Sequence, residues 1–313
     1  MSRLDKLSTG IIQRPLGKII YGPGGVGKTT YACKAPRPIL ADIEKGSDKI
    51  DGVHRDRPET YKEFSELLDD LEKEGTKRFE SLVIDSLDRL EPLLWDYVCK
   101  EHSGNGPALK NIEAFGYGKG YTYAKSEWEK LTKRFDVLRG KGFNIILVGH
   151  NQVRTFQDPV QNAGYDRNVL KLHERSTGCL KEWAEVMLFA DFETVTYQDD
   201  NKKTRTKSDD ERVMYTEKRA GFDAKSRVTL PHEMPLDFDN FMKHWNEAHS
   251  KKVSKESLKE RIESLLRQVN DPEVVTWVND ALKKKKNNTV KALTEMVERL
   301  ETVIFNEEKK AAG

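Results

Sequence analysis

Residues 22–29 read GPGGVGKT and combine the residue types that bind phosphate groups: Gly22, Pro23, Gly24, Gly25, Val26, Gly27, Lys28 and Thr29. Glycines allow positive φ angles and close backbone approach, so successive N–H groups can form a concave anion site. An apolar run precedes this stretch, and a helix that begins near Lys28 would add its positive end. The spacing predicts a P-loop. In it Lys28 reaches the β and γ phosphates of a nucleotide, Thr29 binds Mg²⁺, and Thr30 completes the phosphate contacts.

Two apolar runs end in acids that suit the same chemistry. The run over residues 81–84 stops at Asp85, whose carboxylate is predicted to hold the Mg²⁺ hydration shell. The run after the P-loop helix ends with Asp42 and Glu44, which share one strand face because side chains alternate. The carboxyl ends of parallel strands converge on a bound ligand. Glu44 is therefore the predicted general base for the attacking water, with Asp42 as the alternative.

The pattern of apolar runs predicts the elements that position these residues. Strands over residues 18–21, 39–43, 81–86 and 144–148 alternate with helical spacing over 61–71, 87–98 and 128–138. This alternation is typical of an α/β protein with a mainly parallel sheet flanked by helices. Consecutive strands from residue 186 onward predict a β-hairpin extension with a charged turn over 199–210.

The composition changes near residue 250, where three stretches show helical spacing of apolar residues. We therefore predict a P-loop ATPase core over residues 1–248. A C-terminal helical appendage is expected over 249–313, ending in a disordered tail from residue 307.

The charge and the cysteine content of the chain limit which partners and which cellular compartment we expect for this protein. Charged residues make up 34% of the chain, but the formal net charge is only +2, so any contact with nucleic acid must be local. The three cysteines, Cys33, Cys99 and Cys179, are far apart, which indicates neither a disulfide framework nor a zinc site. No apolar run is long enough to span a bilayer, and no signal peptide is recognised, so a cytoplasmic protein without a membrane partner is expected.

Three short stretches, LADIE at 40–44, VIDS at 83–86 and NQVR at 151–154, resemble those of the RecA/RadA-like recombinase ATPases in order and spacing. With GYGKGY at 116–121 and the Lys218–Arg219 pair, the chain is similar to a phage-encoded branch, the short RecA-like ATPases linked to single-strand annealing. The resemblance covers roughly residues 15–245.

The resemblance implies a RecA-like P-loop fold, with ATP and Mg²⁺ as ligands. It makes Glu44 the general base and Gln152 the residue that couples the γ-phosphate to a DNA-binding loop. It also implies self-association into a ring or filament, single-stranded DNA and a single-strand-binding protein as partners, and a phage gene expressed in the bacterial cytoplasm.

Two segments could contact single-stranded DNA. Residues 115–125 interleave aromatics, glycines and lysines, which suits base stacking and phosphate contact, and Tyr121 is a candidate stacking residue. The alternative is a loop whose tyrosines pack on the sheet. Residues 154–171 carry Arg154 and Arg167 where recombinases place their second DNA loop, and an ordinary surface loop is the alternative.

Lys218 and Arg219 end a predicted strand as adjacent cations. In RecA-like rings and filaments, cations at such a strand end reach the γ-phosphate on the neighbouring subunit. The alternative is a solvated basic hairpin, since runs of charge usually lie in water.

These observations predict an ATP-hydrolysing RecA-like protein, stimulated by DNA, that acts on single-stranded DNA in phage recombination, annealing or replication. Two alternatives stay open: a nucleotide-gated loader or partner-binding protein with weak hydrolysis, and a ring helicase motor. Glu44 discriminates the ATP-hydrolysing protein from the loader, because efficient hydrolysis needs a positioned base, whereas a ring motor would have to unwind a duplex fork.

Overall fold

A computed structural model describes residues 14–104, 106–157, 164–198, 204–252, 255–267, 269, 271–283 and 289–311. These residues belong to two compact units, Arg14–Trp245 and a unit that starts at Asn246. The domain boundary expected between residues 248 and 249 falls inside a helix over Phe238–Lys252 and stays a prediction.

The larger unit is built on a mixed sheet that has ten strands in the described part of the chain. The strands are β1 (Gly17–Gly22), β2 (Pro38–Asp42), β3 (His54–Asp56), β4 (Ser81–Asp85), β5 (Asn144–Gln157), β6 (Gly164–Leu170), β7 (Val186–Gln198), β8 (Thr204–Tyr215), β9 (Lys225–Ser226) and β10 (Glu233–Pro235). Their order is β10-β8-β7-β1-β5-β4-β2-β3, with β6 paired to β5 and β9 paired to β7.

The centre of the sheet is parallel, and its outer additions are antiparallel. β1 lies between β5 and β7, and β4 lies between β2 and β5, all in parallel pairs. β8 pairs antiparallel with β7, and β6 pairs antiparallel with the second half of β5. The carboxyl ends of β1, β2, β4 and β5 therefore lie side by side, which is the edge where open α/β sheets bind ligands.

The helices of this unit are α1 (Lys28–Ala32), α2 (Tyr61–Glu74), α3 (Leu87–Glu101), α4 (Lys119–Gly140), α5 (Glu174–Trp183) and α6 (Phe238–Lys252). β1 and β4 are buried along their whole length, so the strands read as continuous apolar runs. Large side chains from the helices, among them Phe64, Trp128 and Phe135, pack against them in one core. The predicted fold class, a mainly parallel sheet flanked by helices with a β-hairpin extension, is confirmed.

The boundaries of two elements differ from the predictions. α4 begins at Lys119, nine residues before the predicted helix, because Gly118 adopts a left-handed conformation (φ 69°) that starts the helix there. β5 continues to Gln157 as one arm of a hairpin with β6, where a loop was expected. Neither change shows in the local apolar pattern, since both depend on contacts with distant residues.

The C-terminal unit contains α7 (Lys255–Leu266), α8 (Pro272–Lys283) and α9 (Val290–Ala311), as predicted for the appendage. Its own core includes Ile262, Val278 and Leu293, all fully buried. Of the charged turn predicted over 199–210, residues 199–203 lie outside the described residues, and the remainder belongs to β8.

Within the part of the chain that the structure describes, no helix is both long and apolar enough to cross a membrane.

Candidate nucleotide-binding site

The loop between β1 and α1 has the backbone geometry of a phosphate cradle. Gly25 and Gly27 have φ angles of 79° and 100°, in the left-handed region that favours glycine. A Cβ on Gly22 would lie 2.0 Å from the carbonyl oxygen of Ala190 on β7, so the neighbouring strand leaves no room for a side chain. The glycines are thus required by the fold as well as by the approach of a ligand.

Lys28 and Thr29 begin α1 at the mouth of this loop. Lys28 is buried, and its Nζ donates hydrogen bonds to the carbonyl oxygens of Gly22 and Pro23 at 2.9 and 2.7 Å. Burial lowers the pKa of Lys28, while the charges of Asp85 and Glu44 oppose that shift. The ammonium therefore lies where it can exchange loop carbonyls for phosphate oxygens.

Thr29 and Asp85 form the oxygen pair expected of a Mg²⁺ site. Thr29 Oγ1 donates to Asp85 Oδ2 at 2.6 Å, across the gap between α1 and the end of β4. Burial raises the pKa of Asp85 to about 6, and the hydrogen bond from Thr29 opposes this rise. A hydroxyl and a carboxylate are the hard oxygen ligands that suit Mg²⁺, so the residues present fit the ion.

A cavity of about 350 Å³ opens beside the loop and brings seven of the predicted site residues together. Its lining comprises Gly25, Gly27, Lys28, Thr29, Thr30, Glu44, Gly46, Ile50, Asp85, His150 and Arg212. A larger groove of about 900 Å³ lies on α8 and α9, but Glu273, Asp280 and Glu295 on its walls would repel phosphates. The smaller cavity is therefore the candidate nucleotide site.

The structure separates the two candidate bases. Asp42 is fully buried, and its carboxylate accepts hydrogen bonds from Ser47 Oγ at 2.7 Å, Arg57 Nε at 3.0 Å and the Gly46 N–H at 3.1 Å. The Glu44 backbone N–H donates to the Asp85 carbonyl oxygen at 3.1 Å, and its side chain lines the cavity, where its carboxylate oxygen Oε1 lies 3.9 Å from His150 Nε2. Asp42 thus holds the loop after β2 together, and this geometry favours Glu44 as the base.

His150 and Asp88 belong to the site, although the sequence motifs did not single them out. The parallel pairing of β1 with β5 places His150 level with Gly22, at the start of the phosphate loop. Asp88 Oδ1 accepts from both the backbone N–H and Nδ1 of His150 at 3.1 Å, and His150 Nε2 lies 3.9 Å from Glu44 Oε1. One feature of the sequence could have identified His150. It is a polar residue two positions after the apolar part of β5, and the pairing of β5 with β1 places that position beside the phosphate loop.

Gln152 lies two residues farther along β5. In the orientation that satisfies both groups, its amide oxygen accepts a hydrogen bond from Arg154 Nη2 at 2.9 Å. The cavity lining includes His150 and not Gln152, because β5 has already turned into the hairpin at that point. The coupling role of Gln152 stays a prediction.

The predicted cations Lys218 and Arg219 follow the end of β8 and are exposed. Arg219 lies over the ring of Tyr215 at 5.3 Å, with Glu233 3.6 Å away, and neither cation lines the cavity of its own chain. Arg212, on β8 itself, does line it: a Cβ on Gly27 would lie 2.7 Å from Arg212 Nη1.

The segment over residues 115–125 divides into an exposed tip and a packed base. Tyr117 is fully exposed between Gly116 and Gly118. Tyr121, the expected stacking residue, instead stacks on His173 with ring centroids 4.1 Å apart, because α4 has begun and turns it inward. Tyr117 is the aromatic ring of this segment that solvent can reach fully.

The β5–β6 hairpin carries cations and aromatics on one face. Arg154 pairs opposite Arg167, and Phe156 pairs opposite Tyr165, so the four side chains share a face. The Arg167 guanidinium lies 5.1 Å from the centroids of both the Phe156 and the Tyr165 ring. Residues 158–163, at the tip, lie outside the described residues.

Comparison with known proteins places the chain in a family. A prophage protein is 27% identical over 139 residues: the "SPbeta prophage-derived uncharacterized protein YorG" of Bacillus subtilis (strain 168). This match covers 43% of the chain and 41% of that relative, so the chain spans about two fifths of its length. Among solved structures, one titled "Crystal structure of the RadB recombinase" aligns with 63% of this chain and 78% of that one, at 14% identity and a TM-score of 0.35.

A family model described as an AAA domain matches residues 14–228, which include the loop, both acidic strand ends and the β5–β6 hairpin. The family match agrees with the predicted nucleotide-binding P-loop class, and the similar protein of Bacillus subtilis is itself prophage-derived. The chain belongs to this AAA domain family.

Proposed function

We propose that this protein hydrolyses ATP and uses the cycle to act on single-stranded DNA in phage recombination, annealing or replication. The observation that carries the proposal is the convergence of Lys28, Thr29, Asp85 and Glu44 on one cavity at the carboxyl edge of the sheet. A phosphate loop and an acid–hydroxyl pair alone would explain binding. The carboxylate of Glu44, which lines the same cavity, adds the base that hydrolysis requires.

Each residue has a defined part in the reaction. The loop N–H groups and Lys28 would bind the phosphates. Thr29 and Asp85 would hold Mg²⁺, which would neutralise phosphate charge when bound. Glu44 accepts a proton from water as the water oxygen bonds to the γ-phosphorus. The bond between that phosphorus and the β–γ bridging oxygen then breaks, and ADP and phosphate leave.

Two surfaces support the DNA part of the proposal. The shared face of the β5–β6 hairpin combines the exposed Arg154 and Phe156 with the half-buried Tyr165 and the largely buried Arg167, and Tyr117 projects from the 115–125 segment. Cations that follow the backbone together with rings that stack on bases are what single-strand binders use. Both surfaces are local, which agrees with a net charge of only +2.

The two cations after β8 support self-association as part of the proposal. Lys218 and Arg219 are exposed and away from the cavity of their own chain, so they are available to the γ-phosphate on a neighbouring subunit in a ring or filament.

The test compares two carboxylates that are two residues apart. Glu44→Gln should bind a fluorescent ATP analogue as the wild type does but lose turnover by about a hundredfold or more, as expected for a general base. Asp42→Asn, the matched control, should instead lower the melting temperature, because it disturbs three hydrogen bonds to a buried carboxylate. Turnover by Glu44→Gln at the wild-type rate would remove Glu44 from the role of base, whereas a wild-type protein that binds ATP with little or no turnover would favour the nucleotide-gated loader.

A further inference from the structure

Asp88 and His150 form a carboxylate–imidazole pair at the wall of the candidate nucleotide site. Asp88 is the second residue of α3, and His150 follows the buried part of β5. The side chains are largely sheltered, with 8% of Asp88 and 24% of His150 exposed. Neither residue has a place in the binding of phosphate or metal described above.

The hydrogen bonds set the orientation of the imidazole ring. Asp88 Oδ1 accepts from the His150 backbone N–H and from Nδ1, and Oδ2 also lies 3.1 Å from Nδ1. Because the carboxylate can only accept, Nδ1 must carry a proton. This leaves Nε2 as the ring atom that faces the cavity, and Glu44 Oε1 lies 3.9 Å from it.

We propose that the Asp88–His150 pair is the positioning device for Glu44, which the imidazole holds beside the γ-phosphate in the hydrolysis-competent orientation. This inference rests on the proposed function. His150 is then a positioning residue that acts through Glu44. Because His150 lies on β5, which continues into the β5–β6 hairpin, the position of that strand would depend on whether ATP or ADP is bound.

The fold supplies a route for that link. The carbonyl oxygen of His150 accepts a hydrogen bond from the Lys171 N–H at 2.9 Å, at the base of the hairpin. A Cβ on Gly149 would lie 2.5 Å from Leu170 Cδ1, so β5 and the end of β6 are closely packed there. A displacement of His150 would therefore move the hairpin rather than be absorbed by a gap.

Charge supports the same role. The hydrogen bond from His150 to Asp88 raises the pKa of His150, while burial opposes it. The charged groups that face His150 are Asp88 on α3, Glu44 after β2 and Lys28 on α1. An imidazolium between two carboxylates attracts Glu44 and holds it, whereas a neutral ring would hold it less firmly.

The first experiment measures steady-state ATPase kinetics for His150→Gln, His150→Ala and Asp88→Asn. We expect kcat to fall by about tenfold to a hundredfold in the His150 variants, since a small misplacement of a reacting group has effects of that size. Dissociation constants for ATP should stay within about twofold of the wild type. In the wild type, kcat should fall at alkaline pH as His150 loses its proton, and this fall should be absent in His150→Gln. In Asp88→Asn the fall should occur at lower pH. A purely structural role of the pair would produce neither change.

The matched control is His102→Gln at the other end of α3. His102 follows the last residue of α3, and its Nε2 lies 3.4 Å from Glu127 Oε1 on α4. This is a second histidine–carboxylate pair, and it does not line the cavity. Its kcat and pH profile should match those of the wild type, and thermal melts of all variants report whether they fold.

The second experiment does not depend on turnover. The imidazole signal of His150, assigned by its loss in His150→Gln, is titrated by NMR in the wild type, Asp88→Asn and Glu44→Gln. The pKa of His150 should fall in both carboxylate variants, and the signal should differ between protein bound to ADP and to a non-hydrolysable ATP analogue.

The outcomes separate this inference from the proposed function. The proposed pairing would be overturned if folded His150→Ala had the wild-type kcat, or if the pKa of His150 were the same in the wild type and in Glu44→Gln. Either result would count even if Glu44→Gln is inactive. A wild-type protein without turnover would overturn the proposed hydrolysis, and the titration would still decide whether the pair exists.

Discussion

Lys18 provides a test of how the strand beneath the phosphate loop is stabilised. It is fully buried in β1, its Nζ donates to Tyr31 Oη at 2.8 Å, and the rings of Tyr31, Phe238 and Phe241 lie 4.1–4.5 Å from it. Among the described residues no carboxylate lies within ion-pair distance of Lys18. Burial lowers the pKa of Lys18 well below its usual range. Tyr31 is on α1, so this contact also anchors the helix that carries Lys28.

The two polar groups satisfy each other, so removing either one should cost more than removing both. Tyr31→Phe leaves a buried amine without an acceptor, which costs about 1–3 kcal/mol of the free energy of unfolding. Lys18→Met leaves the Tyr31 hydroxyl without a partner at a similar cost, partly offset because no amine is buried. The double variant replaces both groups by apolar ones of similar shape, so it should be near the wild type or more stable. The coupling between the two changes is therefore about 2 kcal/mol.

Urea denaturation of the four proteins at pH 7 and pH 9.5 measures this coupling. The pKa of Lys18 is lower in the folded state than in the unfolded state, so the unfolded chain binds more protons between that lowered pKa and pH ~10.4, the usual pKa of lysine. The wild type should therefore gain stability relative to Lys18→Met as the pH rises. If Tyr31→Phe costs the same in the wild-type and Lys18→Met backgrounds, or if the pH changes nothing, the reasoning is refuted.

Three further predictions concern the proposed activity. Lys28→Ala should abolish tight ATP binding in a fluorescence titration, because the loop loses its ammonium, and retained affinity would argue against the site. Mixing Arg219→Ala with Glu44→Gln subunits should restore turnover that neither has alone, which happens only if Arg219 acts across an interface. Tyr117→Ala should weaken binding of a labelled single strand by about 1–3 kcal/mol with little dependence on salt. In the same anisotropy assay Arg154→Ala, which removes the exposed arginine of the hairpin face, should reduce the slope of log K against log salt by about 0.7, the value for one phosphate contact.

The phosphate loop and the fold class follow from local features of the sequence. The glycines, Lys28 and the apolar run before them specify a strand, a tight loop and a helix start within a short stretch, and few distant contacts are needed. The role of Asp85 could be predicted in the same way, because a buried parallel strand that ends in an acid places that acid at the edge of the sheet where ligands bind.

Other parts of the site depend on which distant residues come together. Asp42 and Glu44 are alike in the sequence, and only the hydrogen bonds that Ser47 and Arg57 donate to Asp42 show that Glu44 is available. His150 reaches the phosphate loop through the register of β5 against β1, a pairing between segments more than a hundred residues apart.

The candidate DNA surfaces show the same division. Composition identified the segment over residues 115–125, but the helix start at Lys119 decides that Tyr117 is exposed while Tyr121 packs against His173. Periodicity reports which residues are apolar and how they repeat, so it determines the elements. Register, helix starts and hydrogen bonds between strand ends are long-range contacts, and for that reason only the tertiary structure decided which side chains face the nucleotide and which face solvent.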